Sequence, residues 1–270
     1  MSRPYAEVIG DPISHSKSPL IHGFWLDALG LEADYRATRV TPDGLADFVA
    51  RRADDPDWRG CNVTLPHKIA VMDHVADPGD VRASIGAMNT IARDDQGGLF
   101  GTNTDAGGFY GPIADLPLAG APVVVVGTGG AAHAVLFALS RVGAGPVTLL
   151  ARNPLKGAAL LARFGLKGDV RPIESAIPPA QLLVNTTSLG MVGQPAFAPD
   201  LSPLPEDALV YDIVYAPLMT PLLQAADARD LQIVDGLDML VGQAAIAFEL
   251  FFGAAPPRDR DEELRERLLA

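Results

Sequence analysis

The chain has 270 residues, of which 48% are hydrophobic, and a formal net charge of -12 at pH 7. This length suits one large domain or two ordinary ones, and the hydrophobic content excludes a disordered chain. So acidic a protein repels phosphate backbones, which argues against a nucleic-acid partner but leaves room for a small anion in a locally basic pocket.

The first hundred residues alternate strand-like and helix-like segments. Apolar or alternating patterns predict strands in YAEVIG, ADYRATRV, RGCNVTL, GAMNTIAR and GGLFGTNTD. Helices are predicted in SPLIHGFWLDALG, with Ser18 as N-cap, and in TPDGLADFVARR, each with proline at its first helical position. The segment NVTLPHK combines a strand end, a proline turn and the expected start of a helix at Lys68.

A second unit is predicted from about Gly120 onward. Its strands are expected in PVVVVG, PVTLLAR, QLLVNTT, ALVYDIVY and LQIVDG, and its helices in GGAAHAVLFALSRVG, NPLKGAALLARFG and TPLLQAADARD. This alternation predicts a parallel sheet with helices on both faces. The tail adds two helices, in MLVGQAAIAFELFF and RDRDEELRERLLA, the second exposed and amphipathic. The predicted fold class is therefore α/β, with two α/β units and a C-terminal helical pair.

A glycine-rich loop opens the second unit. The segment VVVVGTGGAAHA places Gly127, Gly129 and Ala132 in the pattern G-x-G-x-x-G/A, between a strand and a helix. Gly127 permits the tight turn, Gly129 lets the backbone approach a pyrophosphate, and Ala132 lets the helix pack close to the sheet. The helix N-terminus favours the phosphate charge. This context favours a dinucleotide site over a tight turn that binds no ligand.

The next predicted strand ends in basic residues. Sites that prefer NAD usually carry an acidic residue here, which binds the 2′-hydroxyl of the ribose. This chain has Arg152 instead, with Lys156 one turn later. A guanidinium can grip a 2′-phosphate in a bidentate fork, so NADP is predicted in preference to NAD. The alternative is a pair of solvated basic residues at an exposed helix start.

Several polar residues of the first unit follow predicted strands, where ligands bind in α/β folds. They include Lys68, Asn89, Asp105 and the serines of GDPISHSKSP. Oxidation of a secondary alcohol needs a hydride acceptor and a proton acceptor. Lys68 can take the hydroxyl proton while Asp105 orients the lysine. The pairing is a hypothesis because the two residues are far apart in the chain, and the alternative for Lys68 is a solvated surface charge.

No metal site, disulfide or membrane segment is predicted. The five histidines lack metal-ligand spacing, and His67 is interpreted as an ordinary loop residue. The single cysteine, Cys61, permits no intrachain disulfide and agrees with a reducing compartment. The N-terminal segment has no signal-peptide run, and no apolar stretch reaches the roughly 20 residues of a membrane span. We therefore expect a cytoplasmic protein.

Seven separated motifs occur in one order along almost the whole chain, from about Tyr5 to Phe252. They are GDPISHSKSP, NVTLPHK, GAMNT, GTNTDAGGF, VVGTGGAAHA, NTTSLGM and DGLDMLVGQAAIAFELF. Together they resemble the shikimate dehydrogenase family. The resemblance implies reduction of 3-dehydroshikimate to shikimate with NADPH, on the pathway to aromatic amino acids, with a small-molecule substrate and a monomeric or homodimeric protein.

The resemblance also implies a division of the chain into two domains. A substrate-binding domain is expected to comprise residues 1–106 and 237–270, because the family's C-terminal helices return to it. A Rossmann-type NADP-binding domain is expected to comprise residues 107–236. In the family, the active site lies in the cleft between these domains.

Site residues follow from the resemblance, motif by motif. Lys68 is the implied catalytic acid/base and Asp105 its partner and a substrate ligand. The remaining implied substrate ligands are Ser16, Ser18 and Thr64 for the carboxylate, Asn89 and Gln243 for the ring hydroxyls, and Tyr215 lining the pocket. The implied cofactor-binding residues are Gly127, Thr128, Gly129, Gly130, Ala131, Arg152, Lys156, Ile213, Gly236 and, as the weakest match, Asp80.

Two departures from the family pattern leave alternatives open. The 2′-phosphate motif commonly reads NRT, whereas this chain has Ala151, Arg152 and Asn153, so the degree of NADP preference is open. Asp238 stands where glycine is common. The alternatives are a broader quinate/shikimate dehydrogenase that uses NAD or NADP, and a catalytically inactive dinucleotide-binding regulatory protein. A Rossmann-like methyltransferase would normally carry an acidic residue in place of Arg152.

Overall fold

The computed structural model describes residues 3–270. The chain divides into two compact units, one ending at Thr104 and resuming over Val241–Ala270, the other comprising Asp105–Leu240. Within the described residues, no helix combines the length and the apolar character that crossing a membrane requires.

The first unit is built on a five-stranded mixed sheet. Its strands are β1 (Tyr5–Gly10), β2 (Asp34–Arg39), β3 (Trp58–Val63), β4 (Thr90–Arg93) and β5 (Leu99–Thr102). The strand order is β2-β1-β3-β4-β5, and β1 runs parallel to β2 and β3, whereas β4 is antiparallel to both of its neighbours. Every residue of the central strand β1 is buried, whereas the edge strand β2 is largely open to solvent, as its polar sequence requires.

Helices of the first unit come from both ends of the chain. They are α1 (Ser18–Leu29), α2 (Leu45–Ala53), α3 (Val81–Ser84), α8 (Gly236–Phe252) and α9 (Asp261–Leu269). The helices α8 and α9 follow the second unit in the chain, and the first residues of α8 still belong to that unit. The charged helix α9 packs against α1, and its residues Leu264 and Leu268 are both buried. The tail helix, predicted to be exposed and amphipathic, therefore also has a buried side in the first unit.

The second unit is a doubly wound parallel sheet. Its strands are β6 (Val123–Val126), β7 (Val147–Ala151), β8 (Gly168–Pro172), β9 (Leu182–Asn185), β10 (Leu209–Asp212) and β11 (Gln232–Val234), in the order β11-β10-β9-β6-β7-β8. Its helices are α4 (Asp105–Tyr110), α5 (Gly130–Arg141), α6 (Pro154–Arg163) and α7 (Pro221–Asp227). The strand order reverses between β6 and β9, and ligands bind at such a switch point in open α/β sheets.

The four valines of β6 explain its central place in the sheet. All four are buried. Val123 and Val125 pack into the core on one face of the sheet, and Val124 and Val126 into the core on the other. A strand covered by helices on both faces must be apolar at every position, as this segment is. The α/β fold class predicted from the sequence is confirmed.

Two predicted local details are wrong. Lys17, and not Ser18, is the N-cap of α1, and no side chain caps this helix. Ser18 is instead the first residue of the helix and is buried. No α-helix starts at Lys68: residues 65–69 form a turn that leads into a 3-10 helix, Ala70–His74. The Lys68 carbonyl accepts a hydrogen bond from the Met88 amide at 2.7 Å, so that amide takes the place of an α-helical donor.

Candidate active site

The tight turn after β6 requires glycine at its first position. Gly127 has φ of 108°, in the left-handed region that side-chain-bearing residues avoid. A Cβ atom at this position would lie 2.7 Å from the side chains of both Thr186 and Thr187. Thr186 is held there because its hydroxyl donates to the Val126 carbonyl at 2.6 Å. The loop after β9 therefore packs directly against the glycine loop.

Gly129 has no such explanation within the protein. Its φ of -82° is accessible to any residue, and an added Cβ would meet no described atom within 4 Å. Gly129 is also the N-cap of α5, whose first turn has no capping side chain and no acidic residue. The amides at this helix start thus face an exposed position that only glycine leaves fully open. The arrangement fits a phosphate group approaching the backbone.

The remaining loop residues occupy the start of the same helix. Gly130 is the first residue of α5 and is buried, whereas Thr128 and Ala131 are half-buried. Ala132 is fully buried, so the helix lies close to the sheet as the pattern predicts. The segment from Gly127 to Ala132 therefore forms one compact strand–turn–helix unit.

Basic residues follow β7, the neighbour of β6. Arg152 comes directly after the last strand residue and is exposed. Asn153 caps α6 by accepting the Lys156 amide at 3.2 Å. At the position of the threonine in the NRT pattern, this chain thus has a helix-capping asparagine directly after the arginine. A guanidinium at this strand end has the chemistry to bind a 2′-phosphate.

Ile213 and Gly236 are brought together in the second unit. A Cβ at Gly236 would lie 2.4 Å from the carbonyl oxygen of Ile213, so only glycine permits this approach. Ile213 directly follows β10, and Gly236 is the first residue of α8. Tyr215 lies two residues beyond Ile213 and is half-buried, and desolvation raises the pKa of its hydroxyl.

A buried carboxylate, Asp212, organises the same strand ends. Its side chain accepts hydrogen bonds from Asn185 Nδ2 at 2.9 Å, from the Thr220 hydroxyl at 2.7 Å and from the Val214 amide at 3.1 Å. Burial raises the pKa of Asp212 to about 6, although these three donors oppose the shift. Asn185 in turn accepts from the Thr187 hydroxyl at 2.7 Å. The chain of contacts therefore runs from Asp212 to the loop that packs on Gly127.

The turn that carries Lys68 is fixed by backbone contacts in the first unit. The His67 amide donates to the Thr64 carbonyl at 2.9 Å, and the Thr64 amide donates to the Ile9 carbonyl at 2.9 Å. His67 is buried, with its Nε2 2.7 Å from the Val40 carbonyl oxygen. This contact supports the structural interpretation of His67. Lys68 is half-buried at the end of the turn, beside Met88 and hence next to Asn89.

Asn89, Thr104 and Gln243 form a buried group, here called the amide cluster. Asn89 Nδ2 lies 2.9 Å from the Thr104 hydroxyl and 3.3 Å from Gln243 Oε1. Asn89 Oδ1 accepts the Thr104 amide at 2.6 Å. The predicted ring-hydroxyl ligands Asn89 and Gln243 are therefore in direct contact, although 154 positions separate them in the sequence. Asp105, also buried, directly follows the cluster as the first residue of α4.

The two serines of the first loop lie close together. The Ser18 amide donates to the Ser16 hydroxyl at 3.3 Å. Ser16 is half-buried and Ser18 is buried. Thr64 is half-buried at the end of β3, and a Cβ at Gly10 would lie 2.6 Å from its methyl group. Glycine at the end of β1 therefore lets Thr64 approach the loop that carries the serines.

Asp80 differs from the other predicted cofactor residues in the unit to which it belongs. It belongs to the first unit, whereas the glycine loop and Arg152 belong to the second. Asp80 is exposed, occupies the N-cap position of α3 and has a positive φ of 52°. Its assignment to the cofactor remains a prediction.

Sequence reasoning missed several polar residues that hold the site together. Among them are Tyr35, Asn62, Thr90, Thr104, Asn185, Asp212 and Thr220. One signal was available: Asn185 and Asp212 are polar residues at the ends of otherwise apolar strands, where an unpaired buried group would be costly. Tyr35 gave no signal, since it lies within an alternating edge strand among exposed polar residues.

Comparison with known proteins identifies the family. A model of the shikimate dehydrogenase substrate binding domain matches residues 8–91, and a model of the shikimate 5'-dehydrogenase C-terminal domain matches residues 236–264. A shikimate dehydrogenase (NADP(+)) of Sphingopyxis alaskensis is 67% identical over 267 residues, covering 99% of this chain and 97% of that protein. The chain belongs to the shikimate dehydrogenase family. The resemblance inferred from seven motifs is thus confirmed.

Solved structures agree with this membership of the shikimate dehydrogenase family. The Thermus thermophilus shikimate 5-dehydrogenase in complex with NADP(H) and shikimate matches with a TM-score of 0.87 and 38% identity, over 98% of this chain and all of that one. A quinate dehydrogenase from Corynebacterium glutamicum in complex with NAD matches with a TM-score of 0.86 and 31% identity, over 98% of this chain and 99% of that one. The fold therefore accommodates both activities.

Proposed function

We propose that the chain reduces 3-dehydroshikimate to shikimate, reversibly, with NADPH. The observation that carries this proposal is the 67% identity, over nearly the whole chain, to a protein named shikimate dehydrogenase (NADP(+)). At that level of identity over nearly the whole chain, two enzymes are expected to share their substrate and cofactor. The reaction places the protein on the pathway to aromatic amino acids.

The cofactor site is proposed at the glycine loop and the strand ends of the second unit. The open position at Gly129 and the uncapped start of α5 would receive the pyrophosphate. Arg152, with Lys156, would bind the 2′-phosphate, and Ile213 with Gly236 would line the nicotinamide site. When bound, NADPH supplies the hydride.

The substrate site is proposed among the residues of the first unit. Ser16, Ser18 and Thr64 would hold the substrate carboxylate through their hydroxyl groups. Asn89 and Gln243 would hydrogen-bond the ring hydroxyls, because each amide offers both a donor and an acceptor. Tyr215 is proposed as a further substrate-binding residue.

Lys68 is proposed as the proton donor in the reduction. A ketone that accepts a hydride becomes an alkoxide, which needs a proton from a nearby acid. The Lys68 ammonium would give that proton to the oxygen, and in the reverse direction the neutral amine would take it back. Asp105 would orient the ammonium group and bind the substrate.

A second candidate activity is the oxidation of quinate with NAD or NADP. The structural match to a quinate dehydrogenase in complex with NAD favours testing it, as does the altered residue pattern around Arg152. Quinate carries one more hydroxyl group near the carboxylate. The loop that contains Ser16 and Ser18 would therefore determine which of the two substrates binds.

The decisive experiment is a comparison of four reactions. The purified protein would be assayed with shikimate and with quinate, each with NADP and with NAD, by the absorbance of the reduced nicotinamide. We expect kcat/KM for shikimate with NADP to exceed the other three values by at least about 100-fold. Comparable values with quinate or NAD would assign the broader activity. Absence of all four reactions would support the inactive dinucleotide-binding protein. Cytoplasmic location and a monomeric or homodimeric state stay predictions.

A further inference from the structure

Asp212 is a buried carboxylate at which three segments of the second unit meet. Asn185 comes from the end of β9, Val214 from the segment that leaves β10, and Thr220 from the start of α7. They donate hydrogen bonds to Asp212 at 2.9, 3.1 and 2.7 Å, respectively. None of the seven family motifs contains Asp212, and the proposed chemistry gives it no role.

The contacts of Asp212 fix the backbone on both sides of Ile213, the residue proposed to line the nicotinamide site. The Ile213 amide donates to the Asn185 carbonyl at 3.2 Å, and the next amide, that of Val214, donates to Asp212 Oδ1 at 3.1 Å. Asn185 Nδ2 donates to the same oxygen at 2.9 Å, so the two residues that hold Ile213 also hold each other. On its third side the Ile213 carbonyl lies so close to Gly236 that a Cβ atom there would collide with it. The position of the Ile213 backbone therefore depends on Asp212.

Asn185 extends the same network to the loop after β9. Its Oδ1 accepts the Thr187 amide at 3.1 Å and the Thr187 hydroxyl at 2.7 Å, and its Nδ2 also donates to the Leu189 carbonyl at 3.1 Å. The side chain of Thr187 is one of those that a Cβ atom at Gly127 would meet. A carboxylate can only accept hydrogen bonds, so Asp212 selects the orientation in which Asn185 turns Nδ2 towards it and Oδ1 towards the loop.

A buried carboxylate is a costly group to keep for stability alone. Burial disfavours the charged form of Asp212, as its raised pKa shows. Replacing buried polar partners by apolar groups of the same shape is often neutral or stabilising. The donors to Asp212 nevertheless come from three separate segments, and its two oxygens accept from all of them. These contacts suit a group that sets the positions of the segments it joins.

We propose that Asp212 is a positioning residue, which holds Ile213 in the place where the nicotinamide ring of the cofactor binds. This inference rests on the proposed function, because it assumes that Ile213 lines the nicotinamide site. Asp212 touches neither cofactor nor substrate in this proposal. It acts through the backbone of Ile213 on the nicotinamide end of the cofactor, and the end that carries the 2′-phosphate binds without its help.

The first test compares two ligands in the variant Asp212→Ala, in which the three donors lose their acceptor. NADP reaches the nicotinamide site, whereas adenosine 2′,5′-bisphosphate carries only the adenosine end of the cofactor. We expect the affinity for NADP, measured by calorimetric titration, to fall about 10-fold, and that for the bisphosphate to change less than about twofold. The value of kcat should also fall at least about 10-fold, because a misplaced nicotinamide transfers hydride slowly. Equal losses for both ligands would indicate a merely structural role and overturn the proposal, as would an unchanged NADP affinity.

Asp212→Asn is the conservative variant, since its Oδ1 can still accept from Asn185 and Val214. It should restore the NADP affinity and kcat to within about threefold of the wild-type values, and a loss as large as that of Asp212→Ala would contradict the proposal. The matched control is Asp169→Ala, which removes a carboxylate that accepts from the Thr148 hydroxyl at 2.9 Å on the edge strand β8 of the same unit. The control should bind both ligands as the wild type does.

A double-mutant cycle tests whether Asp212 acts through Ile213. Asp212→Ala and Ile213→Ala would be combined, and the NADP affinity measured for all four proteins. We expect the losses to be less than additive, because a side chain that has been removed no longer needs to be positioned. Additive losses would overturn the proposal.

Thr220→Val decides the question if Asp212→Ala does not fold. It removes one donor to Asp212 together with the cap of α7, and loss of the cap should affect both ligands alike. A loss of about threefold or more for NADP alone would support the proposal, whereas equal losses or none would overturn it. A wild-type protein that neither binds NADP nor turns over shikimate would overturn the proposed function, and this inference with it. An active wild type whose variants bind NADP normally would overturn this inference alone.

Discussion

At the scale of single residues, a substitution of Lys68 should separate an effect on catalysis from an effect on substrate binding. Replacing Lys68 with alanine removes the proposed proton donor but leaves the proposed carboxylate and hydroxyl ligands in place. We expect kcat to fall by about 100- to 10,000-fold, because general acid catalysis contributes about that much. Shikimate binding, measured by calorimetry, should weaken by less than about tenfold.

The control for Lys68→Ala is Lys167→Ala, which removes an exposed lysine of the second unit. It should have wild-type turnover. A Lys68→Ala protein with near-normal kcat would contradict the proton-transfer role.

Two glycines of the same loop should respond differently to alanine. Gly127→Ala forces a side chain into a left-handed conformation and against Thr186 and Thr187, so it should lower the free energy of unfolding by about 1–3 kcal/mol. Gly129→Ala meets no described atom, so its thermal unfolding should match that of the wild type. Its affinity for NADP, measured by titration, should nevertheless fall at least about tenfold. Unchanged NADP affinity in Gly129→Ala would contradict the cofactor site.

Local structure was predictable from local patterns, whereas long-range contacts were not. The turn at Gly127 and the helix start at Gly129 were predicted because a strand, a turn and a helix are adjacent in the sequence, and the cofactor role of these glycines stays a prediction. The resemblance assigned both Asn89 and Gln243 to the ring hydroxyls of the substrate, but their direct contact was not predicted, since no local pattern links residues so far apart. The N-cap of α1 was predicted wrongly at Ser18, because a serine directly before a proline suits both the cap position and the first residue of a helix.

At the scale of elements, Arg93 connects β4 to the end of α2. Its guanidinium donates to the carbonyls of Arg52, Ala53 and Asp55 at 2.7–3.0 Å. Its other nitrogens donate to the carbonyls of Trp58 and Gly97, each at 2.9 Å. One side chain therefore satisfies the final carbonyls of a helix and fixes them beside the sheet.

Replacing Arg93 with methionine should destabilise the first unit. The aliphatic chain is retained but several carbonyls lose a charged donor, so the free energy of unfolding should fall by about 2–4 kcal/mol. Arg93→Lys should recover part of this loss, because an ammonium has fewer donors than a guanidinium. Urea denaturation would measure both variants. In the control Arg59→Met, a single carbonyl contact is removed, and a similar loss there would argue against the capping role.

A helix or strand was predicted correctly where the residues of its segment suit only one structural environment. The valines of β6 suit only a strand covered on both faces, and all four are buried. The edge strand β8 was missed because GDVRP contains polar residues and a proline and has no apolar face. The short helix α3 was missed because four residues give too little periodicity to recognise.

At the scale of the whole molecule, acid stability should reflect two buried groups with opposite effects. Burial raises the pKa of Asp212 to about 6 and lowers the pKa of His22 to about 3. Between about pH 4 and 6 the folded protein keeps the Asp212 proton that the unfolded chain releases, so this group's stabilising contribution falls as pH rises. For His22 the unfolded chain binds the extra proton between about pH 3 and 6.5, so stability falls as pH decreases.

Two variants should reveal how Asp212 and His22 each make stability depend on pH. Asp212→Asn keeps the size of the side chain, and it should remove a contribution that changes by about 3 kcal/mol across its pH range. The free energy of unfolding of this variant, relative to that of the wild type, should therefore be higher at pH 7 than at pH 4. His22→Phe keeps the stacked contact that His22 makes with the ring of Tyr35, and it should weaken the loss of stability below pH 6.5. Urea denaturation at several pH values would measure both effects, and parallel curves for all three proteins would contradict them.

The neutrality of the amide cluster has a consequence for how the enzyme responds to its surroundings. Asn89, Thr104 and Gln243 carry no charge at any physiological pH, and they support one another by hydrogen bonds in the protein interior. Under the proposed function, recognition of the substrate's hydroxyl groups is therefore indifferent to acidity and to salt. A change of medium would alter how fast the proton moves, but not how the enzyme recognises the hydroxyl groups of the ring.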